Sequence, residues 1–474
     1  MAMFAEHRAK LVGKLRSLVR SEAGNAVAVF EGGKATTRYD SDHEPIFRQE
    51  SFFQYLFGVK EPDCFGAVCV RTGRSTLFVP RLPAHYAVWM GEIKSLAHFA
   101  AHYGVDACHY TDEIATVLAS DGVAARTLLI LRGTNSDSGA VHHGCHFDGI
   151  DKFALDHTTL FEPLVECRVL KSPHEIALMR HVSAVSSDAH THVMRCVRAG
   201  LTEYQVEALF RYYCHDKGGF RHASYTCICA SAQNGATLHY GHAGAPNDRT
   251  LTQTDMLLFD MGGEYQCYAA DITRSYPVSG KFDARQRAVY SVVLAAQEAV
   301  LAALKPGVSY VDMHLLAERT MLAELVRHGL LRGSVDDMMA CRLCAVFMPH
   351  GLGHLLGLDT HDVGGYLNGA PRRVEPGLKS LRLSRTLLPG MVLTVEPGCY
   401  FIDRLLDQAL ADDVQKQFLV ADRVNEFRNF GGVRIEDNVL ITETGCENFT
   451  TTVRSIDDIE AVMANKLPMP LDLQ

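Results

Sequence analysis

Short apolar runs, closed by Gly, Pro or charged residues, mark the first third of the chain. AVAVF (26–30), FGAVCV (65–70) and TLLILRG (127–133) have the length and the β-branched content of buried strands. Amphipathic stretches separate them. This alternation predicts a smaller α/β domain over residues 1–170.

The pattern changes at VLKSPHEIALMRHVSAVSSDAH. Ser172 is placed to cap a helix, Pro173 suits the first turn, and Glu175 closes a capping box. Ile176, Met179, Val182 and Val185 then recur at helical spacing. A second capping box stands at Thr202 and Gln205. The larger domain, 172–474, starts helical and becomes strand-rich. TCICASA, TDMLLFDMGG, YAADITRSYPV, GMVLTVEPG and GGVRIEDNVLITETG all have strand character, and the Ala/Leu-rich stretch 283–332 reads as helical. Runs of helices mixed with runs of strands predict an α+β fold rather than a doubly wound sheet. No internal repeat or low-complexity tract is visible.

Composition narrows the function classes. Of 474 residues, 47% are hydrophobic and 21% charged, as in globular proteins, and the length favours two domains. The net charge is −9 and no run of five Lys or Arg occurs, which argues against nucleic acid or an anionic membrane as partner. No stretch approaches the ~20 apolar residues that span a bilayer. MAMFAEHRAK has an early Glu6 and no apolar core, so no secretory leader is expected, and LDLQ carries no retention or peroxisome address. A cytoplasmic location is the expectation. There, the fourteen cysteines are expected to be reduced. Cys341 and Cys344 form a CxxC, but no second pair follows at zinc-ribbon spacing, so buried free thiols are expected.

The chemistry lies in carboxylates that do not suit their surroundings. Asp260 ends the apolar run MLLFD, and Asp271 sits in YAADIT. A reversal between Tyr265 and Gln266, eased by Gly262 and Gly263, would set the two acids opposite each other with Cβ atoms ~4.5–5.5 Å apart. Bare carboxylates that close repel unless one is protonated or a cation intervenes. Glu396 closes the apolar strand VLTVE, and Glu436 shares a strand face with Arg434. Any one of these acids alone reads as a salt bridge or an exposed strand edge. Together they face a glycine-rich window, FMPHGLGHLLGLDTHDVGG (347–365), that holds His350, His354 and His361. Carboxylates bridging two divalent ions ~3.5–4 Å apart, with one imidazole completing the set, account for all of them. Oxygen-rich ligation with one His and no Cys favours Mn, Co or Fe over structural zinc.

These residues carry a resemblance. HASYTCICASAQNGATLHYGHAGAPNDRT, LLFDMGGEYQCYAADITRSYPVSGKF, FMPHGLGHLLGLDTHDVGGY, LTVEPGCYFID and FGGVRIEDNV closely resemble, in order, the motifs of eukaryotic prolidases. Those are the Xaa-Pro dipeptidases of the pita-bread metallopeptidase family, which also holds aminopeptidase P and methionine aminopeptidase. The likeness extends to FRQESFFQYLFGVKEPDCFG and YAVWMGEI in the first domain. It implies a pita-bread catalytic domain behind an N-terminal domain that serves dimerisation and shapes the site. It implies metal ligands at Asp260, Asp271, His354, Glu396 and Glu436, with Asp271 and Glu436 bridging. His239 and His361 match catalytic and substrate histidines, and Arg382 an arginine that takes the dipeptide's carboxylate. Arg434 matches a substrate-site arginine beside the last ligand, and His350 and Tyr225 match pocket positions. Trp89, the only tryptophan, matches one that reaches toward the partner subunit's site; core packing is the other reading. The implied assembly is a homodimer.

The resulting expectation is hydrolysis of Xaa-Pro dipeptides by a metal-bridging hydroxide, with Glu396 as proton shuttle and two divalent ions, Mn2+ first and Co2+, Fe2+ or Zn2+ as alternatives. Aminopeptidase P, acting on longer Xaa-Pro peptides, shares fold and ligands. A non-catalytic peptide-binding relative or a metal-free hydrolase of the same fold would be expected to lack ligands, and all five are present here.

Overall fold

A computed structural model describes residues 2–19, 25–366 and 370–468; the terminal LDLQ lies outside them. The chain divides into two compact units, Met1–His174 and Glu175–Gln474.

The first unit is built on a six-stranded mixed sheet, in the order Ala107–Tyr110, Ser75–Val79, Phe65–Cys69, Ala26–Glu31, Thr127–Ile130 and Ala154–Asp156. Ala26–Glu31 runs antiparallel to Phe65–Cys69 and parallel to Thr127–Ile130. A strand in that central position is covered on both faces, which is why AVAVF is apolar throughout rather than alternating. Val27, Val29, Phe78, Leu128 and Ile130 pack with Ile114 and Leu118 on one face. The helix Ser51–Phe57 is buried at every position, and Glu50 caps it by accepting from the Phe52 and Phe53 amides.

In the second unit, helices Pro173–Cys196, Glu203–Gly218, Ala284–Ala303 and Tyr310–Arg327 accompany several small antiparallel sheets. The amide of Thr202 donates to Gln205 Oε1, one half of the capping box read from the sequence. Stretch 283–332 is not one helix. Lys305-Pro306-Gly307 breaks it, because proline cannot continue the ladder and Gly307 takes φ +86°.

The strand Met256–Asp260 pairs with Ile228–Ser231 on one side and Thr273–Pro277 on the other. Its register corrects the expected pairing: Asp260 lies opposite Thr273, not Asp271. The reversal is centred one residue later, because Gln266 and Cys267 both take positive φ, +50° and +66°, as a tight primed hairpin turn requires. Asp271 is thereby left in the irregular segment just before the returning strand. A second sheet joins Val392–Val395 to Asp437–Ile441, and Gly398–Tyr400 pairs with Gly432–Arg434. One isolated bridge, Thr273 to Glu436, stitches these groups together and fixes where the acids meet. No helix among the described residues is long and apolar enough to cross a membrane. All fourteen cysteines are free thiols, with Cys344 buried and Cys341 half-buried.

Candidate active site

A cavity of about 720 Å3 opens in the second unit, and all five acid and histidine positions singled out as ligands reach its wall. Each arrives on a strand end or a tight loop. Glu436 is held by Thr273, whose backbone carbonyl accepts from the Glu436 amide at 3.1 Å and whose Oγ1 donates to Glu436 Oε2 at 2.7 Å. His354 and Glu396 are tied across Thr394. The His354 amide donates to Thr394 Oγ1 at 3.1 Å, and that hydroxyl donates to Glu396 Oε1 at 3.2 Å. Gly353 explains part of the glycine richness: a Cβ there would lie 2.2 Å from the Thr394 carbonyl oxygen and 2.5 Å from the Tyr310 hydroxyl. Gln297, fully buried on Ala284–Ala303, donates to the carbonyls of Val395 and Ile435, the residues just before the two glutamates.

Atoms of Asp271, His354 and Glu436 lie within 4.8 Å of one another. His354 Nδ1 bonds the Leu355 carbonyl at 3.0 Å, which turns Nε2 toward Asp271 Oδ2 at 3.3 Å and Glu396 Oε1 at 3.4 Å. Backbone anchoring of one ring nitrogen, leaving the other to face carboxylates, is the orientation a metal-ligating imidazole needs. Asp260 stands slightly apart. Its Oδ1 accepts from the Tyr225 hydroxyl at 2.5 Å and its Oδ2 from Arg434 Nη2 at 2.6 Å.

The charges are out of balance. Three buried carboxylates and the half-buried Glu396 face one arginine, Arg434, and the His354 imidazole. Burial pushes Asp260 up to about 6 and Glu396 up to about 7, with Asp271 adding to both, and it drives Glu436 well above the carboxylate range. Burial also opposes ionisation of Asp271, but the hydrogen bond and charge of His354 bring it below its ordinary value. His354 rises to about 9: burial works against it, and Asp271 and Glu396 overcome burial. Divalent cations at this point would supply the missing positive charge and return the acids to carboxylates. The donor set therefore fits such ions.

Around this cluster sit the other expected residues. Arg434 also donates to the Tyr400 hydroxyl at 2.8 Å and to Thr273 Oγ1 at 3.1 Å. Tyr400 is 2.9 Å from His350 Nε2, and His350 Nδ1 bonds the Gly351 carbonyl at 2.7 Å. That chain suits a neutral His350 with Nε2 accepting, in line with a pKa pushed down to about 3 by burial and then by Arg434. His361 faces the His354 ring edge-on at 4.5 Å, and burial, then His354, lowers it to about 3. His239 and Arg382 line the same cavity, and burial followed by Arg382 and Arg434 lowers His239. Trp89 is not in this wall. It belongs to the first unit and is 81% exposed, which rules out the core-packing reading within one chain.

Sequence reasoning missed the hydroxyls: Thr273, Thr394 and Tyr400 each bind two or more groups of the cluster. Threonine inside a strand is ordinary, so only the observed register identifies them.

Residues 177–443 match the model of metallopeptidase family M24, and residues 4–129 match the N-terminal domain of aminopeptidase P. The human and rat proteins named Xaa-Pro dipeptidase are each 55% identical over 464 residues, 98% of this chain and 94% of theirs. The solved structure of zinc-substituted Escherichia coli aminopeptidase P in complex with product superposes with a TM-score of 0.78 at 30% identity, covering 99% of both chains. With its carboxylates, its histidine and the match over its second unit, the chain belongs to metallopeptidase family M24.

Proposed function

We propose that this chain is an Xaa-Pro dipeptidase in which Asp260, Asp271, His354, Glu396 and Glu436 would hold two divalent cations. The observation that carries this reading is the buried meeting of Asp271, His354 and Glu436 within 4.8 Å, in a cavity that also presents Arg382. The names of the human and rat relatives support it. When bound, such a pair of cations lowers the pKa of a water from ~15.7 toward ~7 and so supplies a nucleophile at neutral pH.

The chain's own groups do the rest. Glu396 would take up a proton at its carboxylate and deliver it to the proline nitrogen. His239 and His361 are both held below the ordinary histidine value, so at neutral pH they act as uncharged N–H donors to the developing oxyanion or the leaving nitrogen. Arg382 grips the substrate's carboxylate with parallel hydrogen bonds, which selects dipeptides. Arg434 orients Asp260, and Tyr225 holds its other oxygen.

Mn2+ is the proposed metal, and the cytoplasm the proposed location. The N-terminal unit is proposed to dimerise the chain. In its short helix Tyr86–Met90, Val88, Trp89 and Met90 are 78%, 81% and 62% exposed, an apolar face suited to a second copy.

A second reading, aminopeptidase P, is favoured by the likeness to the Escherichia coli structure. Metal analysis with paired assays on Gly-Pro and Gly-Pro-Ala tests both. The dipeptidase reading requires two metals per chain and turnover of Gly-Pro well above Gly-Pro-Ala. The reverse preference establishes the aminopeptidase, and no metal-dependent turnover of either peptide overturns both.

A further inference from the structure

The His239 ring makes no hydrogen bond to protein among the described residues; only its carbonyl is engaged, by His242 Nδ1 at 2.9 Å. Where the ring stands is therefore set by its backbone. The loop that carries it leaves the strand Ile228–Ser231 and turns at Gly241, φ +90°, where a Cβ would lie 2.4 Å from the Cys227 carbonyl oxygen.

Five donors of this segment converge on one carboxylate. Glu203, the first residue of Glu203–Gly218, is fully buried. Its Oε1 accepts from the Ser231 amide at 2.8 Å, Ser231 Oγ at 2.6 Å and Asn234 Nδ2 at 3.1 Å. Its Oε2 accepts from the Tyr240 hydroxyl at 2.6 Å and the Arg249 amide at 3.2 Å. Arg249 is in turn fixed by Asp255 and donates to Ser231 Oγ at 2.7 Å. The start of the loop, its end, and the residue next to His239 thus share a single anchor. None of the proposed metal ligands is bonded to it.

We propose that Glu203 is the positioning residue for His239, clamping both ends of its loop and the adjoining Tyr240 so that an otherwise unrestrained imidazole faces the scissile bond. The proposal rests on the reading of His239 as a catalytic group. Burying a carboxylate is costly, and here five hydrogen bonds offset that cost. An amide in its place would set two N–H groups against donors and leave part of the loop unheld.

The test is a double-mutant cycle on the metal-loaded enzyme with Gly-Pro, using Glu203→Gln, Tyr240→Phe and His239→Ala. Glu203→Gln should lower kcat roughly 10- to 100-fold with KM and metal per chain near wild type, because ångström-scale misplacement of a catalytic group costs on that order. Tyr240→Phe should lower it less. On the His239→Ala background, both should change kcat by less than about twofold, in keeping with action through His239. Independent, multiplying losses would overturn the proposal, as would metal loss in step with activity. Should Glu203→Gln not fold, Tyr240→Phe carries the same cycle. Full activity in His239→Ala sinks the catalytic reading instead. Glu203 is then judged by the His239 imidazole resonance, which Tyr240→Phe must shift if the clamp exists and which stays unmoved if it does not.

Discussion

Arg274 and Asp437 sit directly behind the acid cluster, and replacing Arg274 with Met tests how that cluster is held. Both side chains are fully buried, with Nη2 2.7 Å from Oδ1. The guanidinium's other donors go to main-chain carbonyls: Nε to Val453 at 3.0 Å, Nη1 to Thr273 and Glu436 at 2.9 Å each, and Nη2 to Thr452 at 2.9 Å. It therefore grips both residues of the bridge that carries Glu436 into the cavity. Removing one member of a buried pair costs about 3–5 kcal/mol, since the other charge stays behind. Asp437 keeps Asn448 at 2.6 Å and the partly exposed Arg454 at 3.1 Å, which points to the low end. About 3 kcal/mol is then a floor, because four carbonyls each also lose a donor. Urea titration followed by circular dichroism should show the midpoint falling with the slope unchanged, and metal per chain should fall as Glu436 loosens. Arg274→Met with Asp437→Asn should be less damaging than Arg274→Met alone, since the stranded charge is gone. A loss well below that floor of about 3 kcal/mol, or a double variant worse than the single, would refute the reasoning.

Gly353→Ala forces a methyl against the Thr394 carbonyl and the Tyr310 hydroxyl. It should weaken metal binding by about 10-fold or more and cost about 2 kcal/mol; a metal titration indistinguishable from wild type would contradict it. His190 is fully buried, with Nε2 2.9 Å from the Met261 carbonyl and a pKa brought down to about 4, chiefly by burial. Between pH 6.5 and 4 the unfolded chain binds a proton that the folded chain refuses. Stability from this group is therefore complete above pH 6.5 and declines by about 3 kcal/mol as pH falls to 4. Urea midpoints of wild type and His190→Gln should diverge across that window, and parallel curves would discard the idea. Arg382→Ala should lower kcat/KM on Gly-Pro roughly 100-fold, with metal content intact, and affect Gly-Pro-Ala far less; equal losses on both peptides would remove the arginine from carboxylate recognition.

The sequence announced the elements better than their pairing. AVAVF, TLLI, MLLFD and VLTV are strands because β-branched, apolar runs of that length pack best between covered faces. The acids at their ends stood out for the same reason, since a carboxylate does not belong beside such runs. Register was less legible. Gly262-Gly263 looked like the reversal, yet Gly262 is needed for close approach: a Cβ there would lie 1.8 Å from the Ala270 carbonyl oxygen. Gln266 and Cys267, which actually turn, have no strong preference for positive φ. Nor did Pro306 register as a break within an Ala/Leu-rich stretch. The hydroxyls of Thr273 and Tyr400 were invisible because their role depends on what lies across the sheet.

A buried acid cluster beside an arginine can also be an ordinary ion-pair network, and the geometry argues against that here. Arg434 is fully committed: Nη2 to Asp260, Nη1 to Tyr400 and Nε to Thr273. It neutralises one acid and is held away from the others by the partners that orient it. Asp271 and Glu436 share the remaining space with a single imidazole, their atoms within 4.8 Å. At that separation, with an effective dielectric near 20, each pair of like charges repels by about 3–4 kcal/mol. A fold that wanted only neutrality would set its second arginine against these acids, whereas Arg382, which also lines the cavity, is the side chain assigned above to the substrate's carboxylate. Instead Thr273, Thr394, Gln297 and the Leu355 carbonyl aim the acids and His354 Nε2 toward one another. Repulsion maintained by this many orienting bonds makes physical sense when a small, highly charged cation occupies the centre.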